Sequence, residues 1–573
     1  MSREPADPAE TVVPVESISA PEAPAASAAP RPATPGNKIS TKSAGLVSLA
    51  VMCSRVLGLV REQVFAALFG ASAQMDAFIA AFRAPNLLRD LFAEGALSTA
   101  FITTFSEKIT KEDDAAAWRL ANKVATLALV FMSGVTLLGI WGAPVITHLL
   151  AGGFASVPGK MELTVRLTRV MFPFIALVSL SALVMGMLNS KKVYGISAIS
   201  STFFNLGSIV GGVLIGWKLD PHFGTKQYGQ GSLIGMAIGV LIGGLLQLVV
   251  QFPALRRVGF RFRLDFAWRD PGVRQILLLM GPAVIAASAV QVNVMVNGNF
   301  ASQLGNGPVS WLGYAFRLMQ LPIGIFGVAI GTVTLPVVSR SAAAGNRVEF
   351  RSILAKGMRL AFLLTVPSTI GLVMLADPII GLIYERRKFT PLDTQHTAEA
   401  LQLYAIGLCA YAGIKVLAPA FYAIGKRYTP MMVSFLSIAV NYGLNELFTF
   451  HLHWEHRGLA FSTGLVALTN FALLYLLMWK EVRRLESAQM LATLAKLAVA
   501  GGVLALVCWG GLHWLLGDWR HVNLLMRIVL LFVTIGVAAG AFFGVALLLR
   551  IEELDDVAAM VKRKLGRYAR RTA

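Results

Sequence analysis

Hydrophobic residues form long runs along nearly the whole chain, and short segments rich in polar residues, glycine and proline separate them. The runs extend over roughly 18 to 30 residues, enough for a helix to cross a hydrocarbon core of about 30 Å. Helices are the expected spanning element, because every backbone polar group in lipid needs an internal partner. We predict fourteen spans, which begin near residues 44, 75, 120, 163, 195, 231, 273, 308, 355, 396, 428, 458, 491 and 522.

The composition agrees with an integral membrane protein. Of the 573 residues, 56% are hydrophobic and 14% are charged, whereas about 25% of the residues of soluble proteins are charged. Residues 1–40 are mainly Ala, Pro, Ser and charged residues, and we predict that they form a disordered cytoplasmic tail. The three cysteines lie in apolar runs, and their spacing suggests no metal site, so packing is their expected role.

The net charge of +20 raises the question of nucleic acid binding. The basic residues, however, lie mainly in alternate short connections, which is the pattern of a membrane topology signal. The connection after the sixth span holds six arginines between Arg256 and Arg274, whereas QLGNGPVS after the seventh span holds no Lys or Arg. We therefore expect no nucleic acid partner and both termini in the cytoplasm, with a basic C-terminal tail at 552–573.

A weak internal repeat divides the chain. At an offset of 234 residues, Ala81-Phe82-Arg83 matches Ala315-Phe316-Arg317, and Pro144 matches Pro378. Two copies with six spans each enter the membrane in the same orientation, so substrate is expected at their interface. A chance match in an apolar background is the alternative. The predicted units are an N-terminal six-helix bundle at 41–258, a C-terminal one at 272–486, and two further spans at 490–551.

Polar and charged residues crowd the second predicted span; they are Asp76, Arg83, Asn86, Arg89, Asp90 and Glu94. At 100° per residue most of them fall on one face of a helix. Each central Arg or Asp costs about 2.5 to 3.5 kcal/mol on insertion scales, so this face is expected to line a hydrated cavity or to pair internally.

Three further arginines lie inside predicted spans, Arg55 and Arg61 in the first and Arg317 in the eighth. Arginine stays charged in proteins, and its planar fork suits bidentate contact with phosphate. Convergence on one cavity would imply an anionic substrate, with a diphosphate as a strong candidate. The alternative is a buried network in which the arginines only neutralise neighbouring carboxylates, and for Arg83 the two interpretations are equally favoured.

Two asparagines, Asn441 and Asn445, stand one turn apart in the eleventh predicted span. Their side-chain oxygens could bind an ion. Hydrogen bonding between helices is the commoner role of such residues.

Five sequence motifs resemble the MurJ family of bacterial lipid II flippases, and the resemblance extends from about residue 40 to 550. The motifs are SRVLGLVRE at Ser54–Glu62, MDAF at Met75–Phe78, PNLLRDLFAEGALSTAF at Pro85–Phe101, YAFRLMQLPIG at Tyr314–Gly324 and KVLAPAFY at Lys415–Tyr422.

The resemblance implies a fold of the MOP superfamily, all-α and integral to the membrane. Two six-helix bundles would form a V-shaped cavity, and the last two spans would form a groove for the lipid tail. The implied activity is transport rather than catalysis: lipid II moves from the inner to the outer leaflet of the bacterial inner membrane. By motif position the resemblance implies that Arg55, Arg61, Asp76, Arg89 and Arg317 are site residues. The ionic face of the second span adds Asn86 and Glu94.

Departures from the family pattern affect the energy source. Some members bind sodium through a carboxylate in the seventh span, where this chain has Gln291, Asn293 and Asn297. Sodium coupling is therefore open, and membrane potential is the alternative, at about 2.3 kcal/mol per charge per 100 mV. The expected partners are lipid II and membrane lipids, for a chain that acts as a monomer or with other cell-wall synthesis proteins; no cofactor is expected.

Two other functions compete with this one. The first is export of another lipid-linked oligosaccharide, or cation-coupled drug export, on the same fold; drug export would favour a cavity rich in carboxylates. The second is a membrane-embedded glycosyl- or acyltransferase, which would need a catalytic acid or base, often with a metal-binding carboxylate cluster.

Overall fold

The computed structural model describes residues 41–91, 97–225 and 227–554. Within these ranges the regular secondary structure is entirely helical, as the sequence predicts. The predicted N-terminal tail, nearly all of the predicted basic tail and the candidate site residue Glu94 lie outside the described residues.

The described residues of the N-terminal half form ten helices and one short 3-10 helix at Gly152–Ser156. The helices are α1 Thr41–Phe69, α2 Ala73–Leu88, α3 Ser98–Lys111, α4 Asp114–Trp141, α5 Ala143–Ala151, α6 Lys160–Met171, α7 Phe174–Ser190, α8 Tyr194–Leu219, α9 Gln230–Val249 and α10 Phe252–Arg257.

From Arg257 to the last described residue, the chain forms eleven helices and three π-helical turns, at Ile323–Gly327, Glu446–His451 and Gly511–Leu515. The helices are α11 Pro271–Ser302, α12 Pro308–Pro322, α13 Val328–Ala343, α14 Arg347–Met374, α15 Ala376–Tyr384, α16 Pro391–Ala405, α17 Leu408–Ala423, α18 Tyr428–Asn445, α19 Glu455–Val482, α20 Ser487–Gly510 and α21 Leu524–Leu548.

The described helices are numerous and apolar enough for a protein that crosses the membrane many times. By length and composition nine of them can span a bilayer, or eleven segments can if each of two bent pairs is one span. The bent pairs are Pro271–Ile285 with Ala287–Ser302, at 41°, and α16 with α17, at 42°. The count of fourteen stays a prediction.

A short helix recurs at the same place in both halves. The nine-residue helix α5 follows α4 directly, and the nine-residue helix α15 follows α14 in the same way. Pro144 and Pro378, which the repeat predicts to be equivalent, lie in the first turn of these two helices. The order of long and short helices thus agrees with the internal repeat.

Glycines allow α8 and α9 to pack backbone against backbone. A Cβ atom on Gly235 would lie 2.3 Å from the Cα of Gly216, and one on Gly239 would lie 2.4 Å from the Cα of Gly212. Close approach through small residues spaced four apart is a common way to pair helices in lipid, where apolar burial gives little driving force.

The two halves share a core at the end where α1 ends and α2 begins, which we call the closed end. One cluster of buried hydrophobic side chains there contains Phe65 and Phe78 from the N-terminal half and Tyr314 and Phe389 from the C-terminal half. Towards the start of α1 many side chains are exposed, including Met52 and Val56. The halves are therefore packed together at one end of α1 and less tightly at the other.

Candidate substrate site

One carboxylate of α1 connects arginines from both halves. Glu62 accepts a hydrogen bond from Arg61, with 2.9 Å between Oε1 and Nη2, and the same oxygen lies 3.3 Å from Nη1 of Arg317 on α12. Arg61 and Glu62 are buried, whereas about half of the Arg317 side chain is exposed. The Arg61 guanidinium also stacks over Phe204 of α8, at 5.2 Å from the ring centroid.

This ion cluster lies deep along its helices. Glu62 is two turns before the end of α1, and Arg317 is two and a half turns after the start of α12. At 1.5 Å per residue these positions are roughly 10 and 13 Å from the closed end. Since half the hydrocarbon thickness is about 15 Å, a closed end at the membrane surface would put the cluster near the middle of a bilayer.

Arg55 crosses from α1 to the break between α12 and α13. A Cβ atom on Gly324, in the π-helical turn, would lie 2.9 Å from Nη1 of Arg55, so the guanidinium rests against the bare backbone of this glycine. The Arg55 side chain is otherwise exposed. Arg55 therefore lies at the same junction between the halves as Arg317, and it is two turns along α1 from Glu62, the partner of Arg317.

The end of α2 contributes further polar groups. Arg89 donates to Asp90 at 2.8 Å, and both side chains are partly buried, as is Asn86. Arg89 and Arg317 act electrostatically on Arg61, so the three form one group of like charges. Three of the predicted arginines, Arg61, Arg89 and Arg317, are thus paired with two carboxylates, Glu62 and Asp90, so this group is positive within the described residues.

Arg83 occupies a separate position. A Cβ atom on Gly298 of α11 would lie 2.2 Å from Nη1 of Arg83, so this guanidinium is pressed against the C-terminal half. The electrostatic influence of Tyr404 on Arg83 also comes from that half. Arg83 acts as a contact between the halves in this conformation.

Asp76 lies in a closed network away from the arginines. Its side chain is fully buried and pairs with Lys160 of α6 at 2.9 Å. It also accepts hydrogen bonds from the backbone amides of Gly307, at 2.7 Å, and Ser310, at 2.9 Å, and from the Ser310 hydroxyl at 2.6 Å. Asp76 of the N-terminal half thereby caps the start of α12 in the C-terminal half.

The ionic face predicted for the second span is therefore divided between two environments. Asp76 belongs to the closed end, and Asn86 and Arg89 belong to the deeper region three to four turns further along the helical stretch. A substrate cannot reach the Asp76 carboxylate here, because both oxygens are enclosed and hydrogen-bonded. The substrate contact expected for Asp76 stays a prediction for another conformation. In this structure the contacts of Asp76 with Lys160, Gly307 and Ser310 hold the two halves together, and we call this network the Asp76 lock.

Lys160, which completes this lock, was not predicted from the sequence. Its ammonium group also donates to the carbonyl oxygen of Gly305, at 2.9 Å, and to Asn306, at 3.0 Å. Two signals could have pointed to the lock: Lys160 is a basic residue in a connection assigned to the outer side, and Ser310 is the repeat equivalent of Asp76.

The predicted ion-binding asparagines meet a third asparagine. Asn441 and Asn445 of α18 both donate to Oδ1 of Asn297 on α11, each at 2.8 Å. Asn297 in turn donates to Thr463 of α19 at 3.2 Å. These hydrogen bonds between helices match the commoner of the two roles expected for the pair. The Oδ1 atoms of Asn441 and Asn445 are buried and find no donor in the described part of the chain.

Comparison with known proteins decides the family. The family model described as "Lipid II flippase MurJ" matches residues 65–530, most of the chain. The chain belongs to the MurJ family. A MurJ relative from Burkholderia cenocepacia, named "Lipid II flippase MurJ", is 35% identical over 506 residues, which cover 87% of this chain and 95% of that protein. The family resemblance of the five motifs is confirmed.

Solved structures extend the comparison to the fold. A MurJ structure in an "inward closed conformation" matches with a TM-score of 0.69 at 24% identity and covers 87% of this chain and 98% of its own. An inward-facing multidrug resistance transporter of the MATE family and MOP superfamily matches with a TM-score of 0.58 at 16% identity, over 77% and 95% of the two chains. The MOP-type fold predicted from the MurJ resemblance is confirmed.

Proposed function

We propose that this protein is a lipid II flippase, which moves the polyprenyl-diphosphate-linked peptidoglycan precursor from the inner to the outer leaflet by alternating access. The observation that carries the proposal is the Arg61–Glu62–Arg317 cluster, which joins the two halves deep along α1 and α12. Membership of a family named for lipid II transport supports the same substrate and favours a transporter over an enzyme.

The chemistry of the cluster suits a diphosphate. Arg317 is half-exposed and holds its carboxylate at 3.3 Å, a distance longer than that of a short charge-assisted hydrogen bond. The Nε of Arg61 is buried without a hydrogen-bond partner among the described residues. A diphosphate that entered between the halves would offer several oxygens to these donors and would replace Glu62 as the partner of Arg317. Glu62 thus holds the arginines in place until the anion arrives.

The groove for the lipid tail continues from the same junction. A cavity of about 370 Å³ lies among α14, α20 and α21, and its wall includes Pro322 and Phe326. Its other lining residues are nearly all apolar. Gly324, between those two residues, touches Arg55. One segment would therefore separate the headgroup site from the tail site, and the last two spans would serve the tail, as the MurJ resemblance implies.

The lock at Asp76 supplies the gate for alternating access. Opening the closed end requires α2 and α6 to separate from the start of α12, which breaks the Asp76–Lys160 pair and the bonds to Gly307 and Ser310. We assign this end to the outer face because the α1–α2 and α11–α12 connections there hold no Lys or Arg, although the basic run Arg386-Arg387-Lys388 lies at the same end. Both termini would then lie in the cytoplasm, in the bacterial inner membrane.

We also propose that the three long helical stretches outside the apolar set, α1, α2 with α3, and α12 with α13, complete a total of fourteen spans. They carry the charged residues that make a span look polar by composition. The two six-helix bundles at 41–258 and 272–486, and the extra pair at 490–551, follow from this count.

The energy source would be sodium or the membrane potential. For sodium, two uncompensated amide oxygens on α18 are the available ligands, and neither carries a negative charge. For the membrane potential, the positive arginine group supplies the charge that senses the field. We propose a monomer that acts alone or beside other cell-wall synthesis proteins. Export of another lipid-linked oligosaccharide is the second candidate, because the arginine cluster would bind any polyprenyl diphosphate.

Growth complementation tests the proposal. In cells depleted of their own flippase, Arg61→Ala, Arg89→Ala and Arg317→Ala should each fail to restore growth and should leave lipid II inaccessible from the outer leaflet. Arg347→Ala, at an exposed helix start, is the matched control and should complement. Growth with all three site variants at normal protein levels would contradict the mechanism. Wild-type complementation with no change in lipid II accessibility would favour the other oligosaccharide.

A further inference from the structure

Two histidines and a glutamate meet at the closed end, outside the transport site. His396 and Glu399 lie one turn apart on α16, and His456 lies in the first turn of α19. One nitrogen of each imidazole and one carboxylate oxygen lie within 4.8 Å of one another. Histidine nitrogen and carboxylate oxygen are common zinc ligands.

Several polar atoms of this cluster lack hydrogen-bond partners. Both ring nitrogens of His456, Nδ1 of His396 and Oε2 of Glu399 are buried and make no hydrogen bond within the described residues. His456 is 1% exposed. Buried polar atoms in native proteins nearly always have a hydrogen-bond partner, so three imidazole nitrogens without one at the same place indicate a ligand.

Two of the three distances between the candidate ligand atoms match the edges of a metal coordination shell. Oε2 of Glu399 lies 3.5 Å from Nδ1 of His396 and 3.6 Å from Nε2 of His456. Tetrahedral zinc with bonds of about 2.0–2.2 Å places its ligand atoms roughly 3.3–3.6 Å apart. Only small side-chain movements would bring all three atoms to bonding distance.

The surroundings hold the ligands in position. The Trp311 ring of α12 packs on both imidazoles, with centroids 4.3 Å from His396 and 5.2 Å from His456. Gln395 donates to the second oxygen of Glu399 at 3.3 Å. In metal sites, side chains that contact the metal-binding residues in this way fix the orientation of those residues.

Arg457 is the competing cation. Its Nε lies 3.4 Å from Oε2 of Glu399, and 54% of its side chain is exposed. A metal ion at the cluster would displace Arg457 towards solvent. The competition gives the site a distinctive signature, because removal of Arg457 should strengthen metal binding.

We propose that His396, Glu399 and His456 bind a divalent transition metal ion of the zinc type, with a fourth position open to water. The ion would tie α16 to α19 and, through Trp311, would support the neighbouring Ser310 in the Asp76 lock. This inference goes beyond lipid II transport and does not depend on it.

Equilibrium dialysis of the purified full-length protein against zinc tests the site, with the affinity tag removed and the protein first treated with a chelator. Wild type should bind one zinc ion per chain. His396→Gln and Glu399→Gln should weaken binding by about 100-fold or more, since loss of an outer-shell partner alone costs 10–100-fold. The control His453→Asn, which removes an exposed histidine beside the site, should bind as wild type does.

Arg457→Gln supplies a second, independent readout, and it should tighten zinc binding several-fold. Cobalt substitution should give the strong visible absorption of a tetrahedral site in wild type and not in His396→Gln. Equal unfolding midpoints of the chelated variants and chelated wild type would show that folding is intact. Absence of stoichiometric zinc in wild type, equal affinity in all variants, or no gain in Arg457→Gln would each overturn the proposal.

Discussion

Asp76 accepts hydrogen bonds from the backbone amide and the hydroxyl of Ser310, a residue 234 positions further along the chain. The same offset relates the two copies of the internal repeat. Equivalent residues of two related units can touch only near the axis that relates them. The Asp76 lock therefore lies close to the pseudo-symmetry axis, where a rocking movement of the halves would break its contacts.

Breaking one side of the lock should destabilise the closed end strongly. Asp76→Asn leaves the buried Lys160 without its counter-charge, and we expect the free energy of unfolding to fall by about 3–5 kcal/mol. Denaturant unfolding in mixed micelles measures this loss, and the labelling of a cysteine introduced at the closed end measures its opening.

The double variant Asp76→Asn/Lys160→Met separates the ion pair from the rest of the network. Removal of both charges should cost less than the sum of the two single changes, with a coupling energy of about 0.5–3 kcal/mol. Additive single and double effects would show that the pair contributes nothing beyond its separate hydrogen bonds.

A methyl group at Gly324 should disturb transport with little effect on folding. The added Cβ would lie 2.9 Å from Nη1 of Arg55, and the flexible end of this side chain can move away. We expect Gly324→Ala to reduce complementation while the unfolding midpoint changes by no more than a few degrees. Gly502→Ala is the control, because no atom lies within 4 Å of its Cβ position. Full activity of Gly324→Ala would mean that the position of Arg55 is not important.

A buried ion cluster fastens the end of the described chain. Arg359 of α14 donates to the carboxylates of Glu553 and Glu486, and it also donates to Gln489 at 3.2 Å. Glu553→Gln should lower the free energy of unfolding by about 1–3 kcal/mol, because Arg359 loses a buried charged partner.

An exposed pair provides the comparison for Arg359. Lys111 and Glu107 lie 2.6 Å apart at the surface, and Lys111→Gln should change stability by less than about 1 kcal/mol. Thermal and denaturant unfolding in the same detergent measure both variants. Equal effects of the two substitutions would contradict the structural role of the Arg359 cluster.

Asp220 should make the α8–α9 connection sensitive to acid. Burial alone would raise the pKa of Asp220, but hydrogen bonds from Ser232, His222 and Gly229 outweigh it and hold this pKa below its ordinary value. The unfolded state then binds a proton first as the pH falls, so the stabilisation is present above the ordinary pKa of about 3.9 and is lost below it.

Unfolding midpoints at neutral pH and in acid test this prediction. Asp220→Asn should be less stable than wild type at neutral pH, and the difference between the two should shrink as the pH falls through the carboxylate range. A difference that stays constant with pH would show that the charge of Asp220 does not contribute.

The helical fold and the family could be predicted from the sequence because both depend on local patterns. Apolar runs mark spans without knowledge of their neighbours, and motifs such as SRVLGLVRE are contiguous. The Arg61–Glu62–Arg317 cluster could also be predicted in part, since charged side chains deep in apolar runs must pair with each other or contact water.

The contacts at the closed end could not be predicted in this way. Asp76 shares a helix face with Arg83, but the pairing with Lys160 depends on how α6 packs against α2. His396 and Glu399 have a helical spacing suited to a metal, yet their partner His456 lies on another helix and α16 had no other sign of chemistry. The position of a single histidine in an apolar sequence does not indicate which residues of other helices it contacts.

The charged character of α1, α2 and α12 also has a consequence for biogenesis. The first two of these helices leave the ribosome early, whereas Ser310, which donates hydrogen bonds to Asp76, is synthesised 234 residues after it. During synthesis the early helices must therefore wait at the translocon or in a hydrated intermediate until the second half is inserted. Because their arginines and carboxylates find partners in the second half, the two bundles must assemble late in the biogenesis of the transporter.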